Sequence, residues 1–172
     1  MIINRIWAMP NKWTFQIKPI AELLARYVGD GKGWIDPFSG MSSPAEFTND
    51  LSPDSKAQSH LDALDFLKEL KGNYNGCLFD PPYSPRQVKE CYDSIGKHME
   101  QDDALLGYKR GQYKALISRL VKPEGVTISC GWNSVGMGKS LGFDIVEILL
   151  VCHGSDHNDT IVTVERKIQG SL

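Results

Sequence analysis

No two cysteines in this sequence stand at a Cys-x-x-Cys spacing; Cys77, Cys91, Cys130 and Cys152 are scattered along the chain. Cys77, Cys130 and Cys152 lie inside apolar runs, which predicts buried free thiols and a reducing compartment, the cytoplasm being the simplest. No apolar run approaches the roughly 20 residues a membrane-spanning helix needs, so no membrane partner is expected. The first residues carry no charged, apolar and small-residue signal pattern. A basic excess is also lacking: the net charge is -2, which does not favour a sequence-blind, extended nucleic-acid binder. Basic residues do gather between Arg86 and Lys122, but Glu90, Asp93, Glu100, Asp102 and Asp103 dilute them, as on an ordinary solvated helix surface. There are no internal repeats and no low-complexity segments. What remains is a chain of 172 residues, 41% hydrophobic and 23% charged, the composition of one globular domain spanning 1–172 with a sizeable core.

Periodicity places the elements. Pro19 opens a predicted helix whose Ile20, Leu23, Leu24, Tyr27 and Val28 form one apolar stripe, ended by the glycine run at 29–33. Trp34-Ile35 begin a buried strand. Ala45 to Asn49 and Ser59 to Leu61 suggest two further short strands. Ala63, Phe66, Leu67 and Leu70 form a second helical stripe, and Cys77 to Phe79 a further strand. A polar, mostly helical region is expected from Arg86 to Val121, with breaks at Gly107 and Gly111, then a turn at Lys122-Pro123-Glu124-Gly125. Three strands close the pattern: Val126 to Cys130, Phe143 to Cys152 and Thr160 to Arg166. The last two are joined too briefly for a crossover helix and so pair antiparallel. The alternation before them implies an α/β fold with a mostly parallel sheet.

Two strand ends carry the chemistry. Asp36-Pro37-Phe38-Ser39-Gly40 follows the first buried strand and Asp80-Pro81-Pro82-Tyr83 follows Cys77-Leu78-Phe79. Prolines cannot donate to a ladder, so the chain leaves the sheet rigidly after Asp80. In a parallel sheet both turns open on the carboxyl edge, where ligands bind. An acid before the prolines can accept hydrogen bonds from an exocyclic amine, and an aromatic ring after them can stack on a flat base; a strand-terminating turn that happens to contain Asp and Tyr is the other reading of these four residues. Gly40 permits close approach of backbone to a ligand. Two uses are open to Asp50: pairing with ribose hydroxyls, or an Asx turn before Ser52-Pro53. Asp62 is open to a ligand contact or to capping the helix from Ala63. Trp13 and Phe15 suit the core as well as a ligand. His153, Asp156 and His157 invite a metal reading, but the spacing is weak and no second ligand pair accompanies it; a polar hairpin loop at the sheet's end is expected, and no metal site.

DPFSG followed by DPPY resembles the amino-methyltransferases that modify the exocyclic nitrogen of adenine or cytosine in DNA. The resemblance extends over nearly the whole chain: Trp13-Thr14-Phe15-Gln16-Ile17-Lys18-Pro19 is similar to the segment closing over the methionine end of the cofactor, Asn49-Asp50 to the ribose-binding acid, His60-Leu61-Asp62-Ala63 to the adenine-side contact, and Pro123-Glu124-Gly125 to the approach to the fifth strand. It implies a Rossmann-like class I methyltransferase fold, a seven-stranded sheet with an antiparallel C-terminal hairpin. It implies S-adenosylmethionine as cofactor, held by Phe15, Lys18, Asp36, Pro37, Phe38, Ser39, Gly40, Asp50 and Asp62, and catalysis by Asp80, Pro81, Pro82 and Tyr83. The implied reaction is methylation of adenine N6 in DNA, on a base that is flipped out or single-stranded.

The chain departs from the pattern at two places. Only Met41-Ser42-Ser43-Pro44 stand where a full helix usually follows the first motif, with Ser42 in place of a second glycine. No separate target-recognition domain is evident, so target choice falls to Ser84–Lys114, to Gly131–Gly142 with its Trp132 and Lys139, or to a partner, either a second copy or a recognition subunit. Cytosine N4, an RNA amine, and a non-catalytic subunit serving a partner methyltransferase are the alternative readings.

Overall fold

The structure, a computed structural model, describes residues 1–96 and 106–168. Seven strands form one sheet: β1 (Ile2–Trp7), β2 (Trp34–Asp36), β3 (Phe47–Thr48), β4 (Tyr74–Phe79), β5 (Val121–Gly131), β6 (Phe143–Cys152) and β7 (Thr160–Lys167), in spatial order β1-β6-β7-β5-β4-β2-β3. β7 runs antiparallel to β5 and β6, and every other pairing is parallel. Among the described residues four α-helices accompany them: α1 (Lys18–Val28), α2 (Ala63–Glu69), α3 (Pro85–Ser94) and α4 (Leu106–Leu120). None is long and apolar enough to cross a membrane, among the described residues.

The helical stripes do what their spacing requires. Ile20, Leu23, Leu24 and Val28 of α1 pack on one sheet face against Trp34, Leu78, Ile128, Val162 and Val164. On the other face Phe66 and Leu67 of α2 and Tyr113, Ile117 and Leu120 of α4 pack against Ile35, Cys77, Phe79 and Val121. Fully burying each such side chain contributes roughly 1.5–3 kcal/mol, so the two layers supply the bulk of the stabilisation.

Several expectations need correction. The strand expected over Ala45 to Asn49 is only Phe47–Thr48, and Ser59 to Leu61 is reduced to an isolated bridge between Asn49 and Ser59. The buried Asn49 side chain replaces the ladder: its Nδ2 donates to the carbonyls of Pro37 and Leu61, and its Oδ1 accepts from the Leu61 N–H. The helical region divides into α3 and α4, with 97–105 outside the described residues. Gly107 and Gly111 do not break it, because α4 runs through both; burial of Tyr113, Ile117 and Leu120 outweighs the roughly 1 kcal/mol that a helical glycine costs. The turn expected at Lys122–Gly125 lies inside β5 as an irregularity: Val121 pairs with Tyr74 and Val126 with Gly76. Cys77 and Cys130 are buried free thiols as expected, whereas Cys152 is half-buried and its Sγ accepts from Arg5 Nε at 3.2 Å. β1 is an element the periodicity did not flag. It lies exposed along the outer edge of β6 with Ile2, Ile3, Ile6 and Trp7 open to solvent, so it has no buried face to generate an alternating pattern.

A charge inside β6 ties the N-terminal elements together. Glu147 is 1% exposed and accepts from Arg26 Nη2 at 2.8 Å and from the Tyr27 hydroxyl at 2.7 Å, both on α1. Hydrogen bonds from Arg26 hold its carboxyl below its ordinary value of 4.5 despite burial. A carboxyl depressed in the folded state stabilises the fold above its unfolded value and loses that contribution as pH falls through the folded one. Glu147→Ala is therefore expected to cost about 1–3 kcal/mol in urea unfolding at pH 7, with the gap to the parent narrowing below pH 4.5. A constant gap across that window would show that the carboxyl's charge contributes nothing.

Candidate active site

β2 pairs directly with β4, Ile35 lying beside Cys77, and β3 continues outward with Asp36 beside Thr48. On the other side β5 pairs with β4, Phe79 lying beside Ser129. Strand order therefore reverses between β2 and β4, and the carboxyl edge at such a reversal is where an open α/β sheet binds ligands. The DPFSG turn, Asn49-Asp50, the DPPY turn and the loop after Gly131 all open on this edge.

Three aromatic rings clamp the two turns together. Phe38 packs edge-on against Phe79 at 5.9 Å and against Tyr113 of α4 at 5.3 Å. The 3-10 turn Thr14–Gln16 and the residue before it bridge the turns from the other side. The Trp13 ring covers Gly40, where an added Cβ would lie 3.3 Å from it at φ +55. Thr14 hydrogen-bonds to Asp80. Asp50 joins the next strand end: its Oδ2 accepts from the Gly40 N–H and its Oδ1 from the Ser52 N–H, each at 2.9 Å. Asp50 thus makes the Asx turn and also faces the site.

Two cavities flank Pro81 and Arg110. The larger, about 140 Å³, is bordered by Pro37, Phe38, Asp50, Asp62, Pro81 and Pro82 among others. The smaller, about 90 Å³, is floored by Phe79, Ser129 and Cys130 and walled by Tyr83 and Trp132. Asp62 also caps α2, accepting from the Leu64 N–H at 2.8 Å. Ser39 is buried and donates to the Asn49 carbonyl, which makes it part of the scaffold of the turn. Phe15 packs against the α1-side core and Lys18 is exposed at the start of α1; neither borders these two cavities. Lys139 points to solvent and pairs with Asp144 at 3.6 Å. His153 is buried, with Nδ1 against the Ala8 carbonyl and Nε2 against the Thr160 hydroxyl, each at 2.9 Å. Both ring nitrogens are thus engaged within the protein.

Sequence reasoning missed four residues. Thr14 bonds Asp80. Arg110 donates from Nη2 to the Pro82 carbonyl at 3.0 Å and so fixes the DPPY turn to α4. Glu165, fully buried on β7, accepts from the N–H groups of Met137 and Gly138, which folds the Trp132 loop back onto the sheet. Ser129 borders the smaller cavity, and its buried hydroxyl has no hydrogen-bond partner among the described residues. A glutamate inside the run Thr160–Arg166 was the one legible signal, since a charge in a buried central strand requires a local partner.

No protein-family profile matches the sequence, and no curated protein does either. Solved structures do match. The 1,6-didemethyltoxoflavin-N1-methyltransferase of Burkholderia thailandensis, bound to 1,6-didemethyltoxoflavin and S-adenosylhomocysteine, superposes with a TM-score of 0.56 at 15% identity, over 88% of this chain and 78% of that one. The chain has the Rossmann-like fold of class I methyltransferases. The N-methyltransferase NodS of Bradyrhizobium japonicum gives 0.57 at 9% identity, over 88% and 96% of the two chains. TrmN of Thermus thermophilus gives 0.54 at 16%, over 88% of this chain and 49% of that one.

The electrostatics of the edge are one-sided. Burial pushes the Asp36 carboxyl up to about 7; the Ser43 hydroxyl and the Phe38 N–H oppose the rise, and the charges of Asp80 and Asp50 add to it. Burial likewise raises Asp80, against hydrogen bonds from Tyr83 and Thr14. Tyr83 is driven well above its ordinary 10.0 by burial and by the neighbouring Asp80 charge, so its hydroxyl stays protonated and donates to Asp80. A carboxyl raised from 3.8 to about 7 binds its proton more tightly when folded, so stability falls as pH rises through that window. The isosteric Asp36→Asn variant should lose this pH dependence and be more stable than the parent at pH 8 by on the order of 3 kcal/mol. Thermal unfolding between pH 4 and pH 8 measures both, and parallel curves for the two proteins would contradict the assignment.

Proposed function

We propose that this chain is an S-adenosylmethionine-dependent methyltransferase whose acceptor is the exocyclic N6 amine of adenine in DNA, presented flipped out or single-stranded. The observation that carries the reading is the meeting of Asp36, Asp50 and Asp80 at one reversal of strand order, on the carboxyl edge of a class I methyltransferase fold. Among the described residues the groups that act most strongly on Asp36 include no cation. A ligand bearing a sulfonium and an ammonium group would relieve that repulsion, which neutral or anionic cofactors would not. The larger cavity offers groups for the rest of such a ligand: Asp50 for ribose hydroxyls, and Asp62 and Phe38 toward a purine.

When bound, S-adenosylmethionine supplies an electrophilic methyl group. The residues of this chain do the rest. The amine of adenine is a weak nucleophile because its lone pair is delocalised into the ring. Asp80 and the Pro81 carbonyl accept hydrogen bonds from its two protons, which favours a tetrahedral nitrogen and localises the pair. Tyr83 and Trp132, with ring centroids 5.6 Å apart, give the base an aromatic wall worth about 1–3 kcal/mol per stacked ring. Catalysis is thus positioning and preorganised electrostatics, with no covalent enzyme intermediate. Asp80 must be ionised to accept, so activity should fall on the acid side at a pH above that of an ordinary carboxylate, because burial raises this one.

The test is methyl transfer from labelled S-adenosylmethionine to separate pools of duplex DNA, single-stranded DNA and RNA, with the product nucleoside identified by mass spectrometry. N6-methyladenine in DNA is expected. Asp80→Ala should lower turnover by at least about 100-fold while keeping the parent's thermal midpoint shift with S-adenosylmethionine, a shift that binding to the native state alone produces. Undiminished turnover in that variant would remove Asp80 from the chemistry. N4-methylcytosine, or transfer only to RNA, would move the acceptor and leave the donor site standing.

A further inference from the structure

Among the described residues three buried side-chain atoms have no hydrogen-bond partner: Arg110 Nε, Ser129 Oγ and Thr163 Oγ1. Each such group is destabilising if it stays unpaired, so each calls for an explanation. Ser129 and Thr163 are opposite one another in the β5–β7 ladder, yet neither hydroxyl satisfies the other. Arg110 and Ser129 are also brought to one place, the smaller cavity beside Tyr83, Trp132 and Pro81. Ser129 reaches it from the strand next to β4, level with Phe79 and so one residue before Asp80. Arg110 reaches it from α4, with its planar guanidinium already oriented by the Nη2 bond to the Pro82 carbonyl.

We propose that Arg110 Nε–H and the Ser129 hydroxyl are the specificity-determining donors of the acceptor pocket and read the two ring nitrogens that flank the amine of adenine. The inference rests on the base-methylation reading and deepens it. Asp80 and the Pro81 carbonyl are acceptors, so they suit an amine and repel the carbonyl oxygen that guanine, thymine and uracil present at the same position. The amine of adenine is flanked on both sides by unprotonated ring nitrogens, N1 and N7. The amine of cytosine has one such neighbour, N3, and a C–H on its other side. Two orphaned donors at the cavity that Pro81 and Tyr83 border therefore match adenine and leave one donor unpaired against cytosine. A guanidinium cannot accept a hydrogen bond, so a protonated ring nitrogen is rejected outright at its position.

The experiment compares methyl transfer to single-stranded DNA carrying adenine, 1-deazaadenine, 7-deazaadenine or cytosine as the sole acceptor, using the parent, Ser129→Ala and Arg110→Lys. The parent is expected to lose at least tenfold in kcat/KM with each deaza base, since a buried donor is left unpaired, and to disfavour cytosine by a similar factor. Each variant should lose its sensitivity to one of the two deaza bases while remaining sensitive to the other, a pattern that a general loss of activity would not produce. Ser129→Ala should unfold at the same temperature as the parent or higher, because it deletes an unsatisfied hydroxyl. The inference is overturned if the parent methylates both deaza bases as fast as adenine, if it accepts cytosine equally, or if Ser129→Ala lowers the midpoint by several degrees. Transfer to adenine without deaza sensitivity would sink this inference and spare the base-methylation reading. Absence of transfer to any strand would sink both.

Discussion

The pairing of β2 with β4 is the constraint from which the site follows. Both strands run parallel, and their ends at Asp36 and Phe79 lie on adjacent rungs. The turns that follow them cannot diverge, because Phe38 is held between Phe79 and Tyr113. Backbone pairing sets the spacing of the two acids, and aromatic packing fixes their orientation. Changing either turn moves the other, since the two share the Phe38–Phe79–Tyr113 cluster.

This placement is costly by itself. Asp36 is buried, the strongest influences on it among the described residues include no basic group, and Asp80 and Asp50 add their charges to the same region. Folding alone favours neutral groups there. The residues that tolerate the arrangement are local: the Ser43 hydroxyl on Asp36, the Gly40 N–H on Asp50, and Tyr83 and Thr14 on Asp80. None of these donors carries a formal charge, so none cancels the negative field. A site that retains such a field after folding is suited to a cationic ligand, and the stability forgone in the free protein returns as differential affinity for it.

Legibility in the sequence followed burial. Helix α1 and strands β2, β4, β6 and β7 were readable because their apolar residues are enclosed on one or both faces. The two motif turns were readable because proline and glycine restrict the backbone locally. β1 was not, since an exposed edge strand leaves no inside–outside alternation. The strand expected at Ser59 to Leu61 failed because the Asn49 side chain supplies hydrogen bonds that periodicity cannot register. Arg110, Thr14 and Ser129 were invisible for a related reason. Their significance lies in which strand ends and helix face the topology brings together, and nothing at positions 14, 110 or 129 announces that locally. Glu165 is a charge in an apolar run, a signal the sequence analysis passed over, and its partners, the N–H groups of Met137 and Gly138, could be found only in three dimensions.

The contact between the Tyr83 hydroxyl and Asp80 bears on how the pocket behaves before an acceptor arrives. A buried carboxylate left without a donor would take up a proton from solvent and cease to be an acceptor. Tyr83 opposes this by supplying a donor from within the same tetrad, at a phenol whose own ionisation is suppressed by the same burial. An incoming amine therefore exchanges with an existing hydrogen bond and gains little from that exchange alone. The net gain has to come from what the exchange makes possible: the second bond to the Pro81 carbonyl, stacking on the rings of Tyr83 and Trp132, and the pairing of donors that have no partner in the free protein. A planar base satisfies all three at once, whereas a flexible aliphatic amine satisfies only the first. On the proposed reading, selectivity for an aromatic amine is built into the self-contact of the tetrad, before any further surface is called on to choose among substrates.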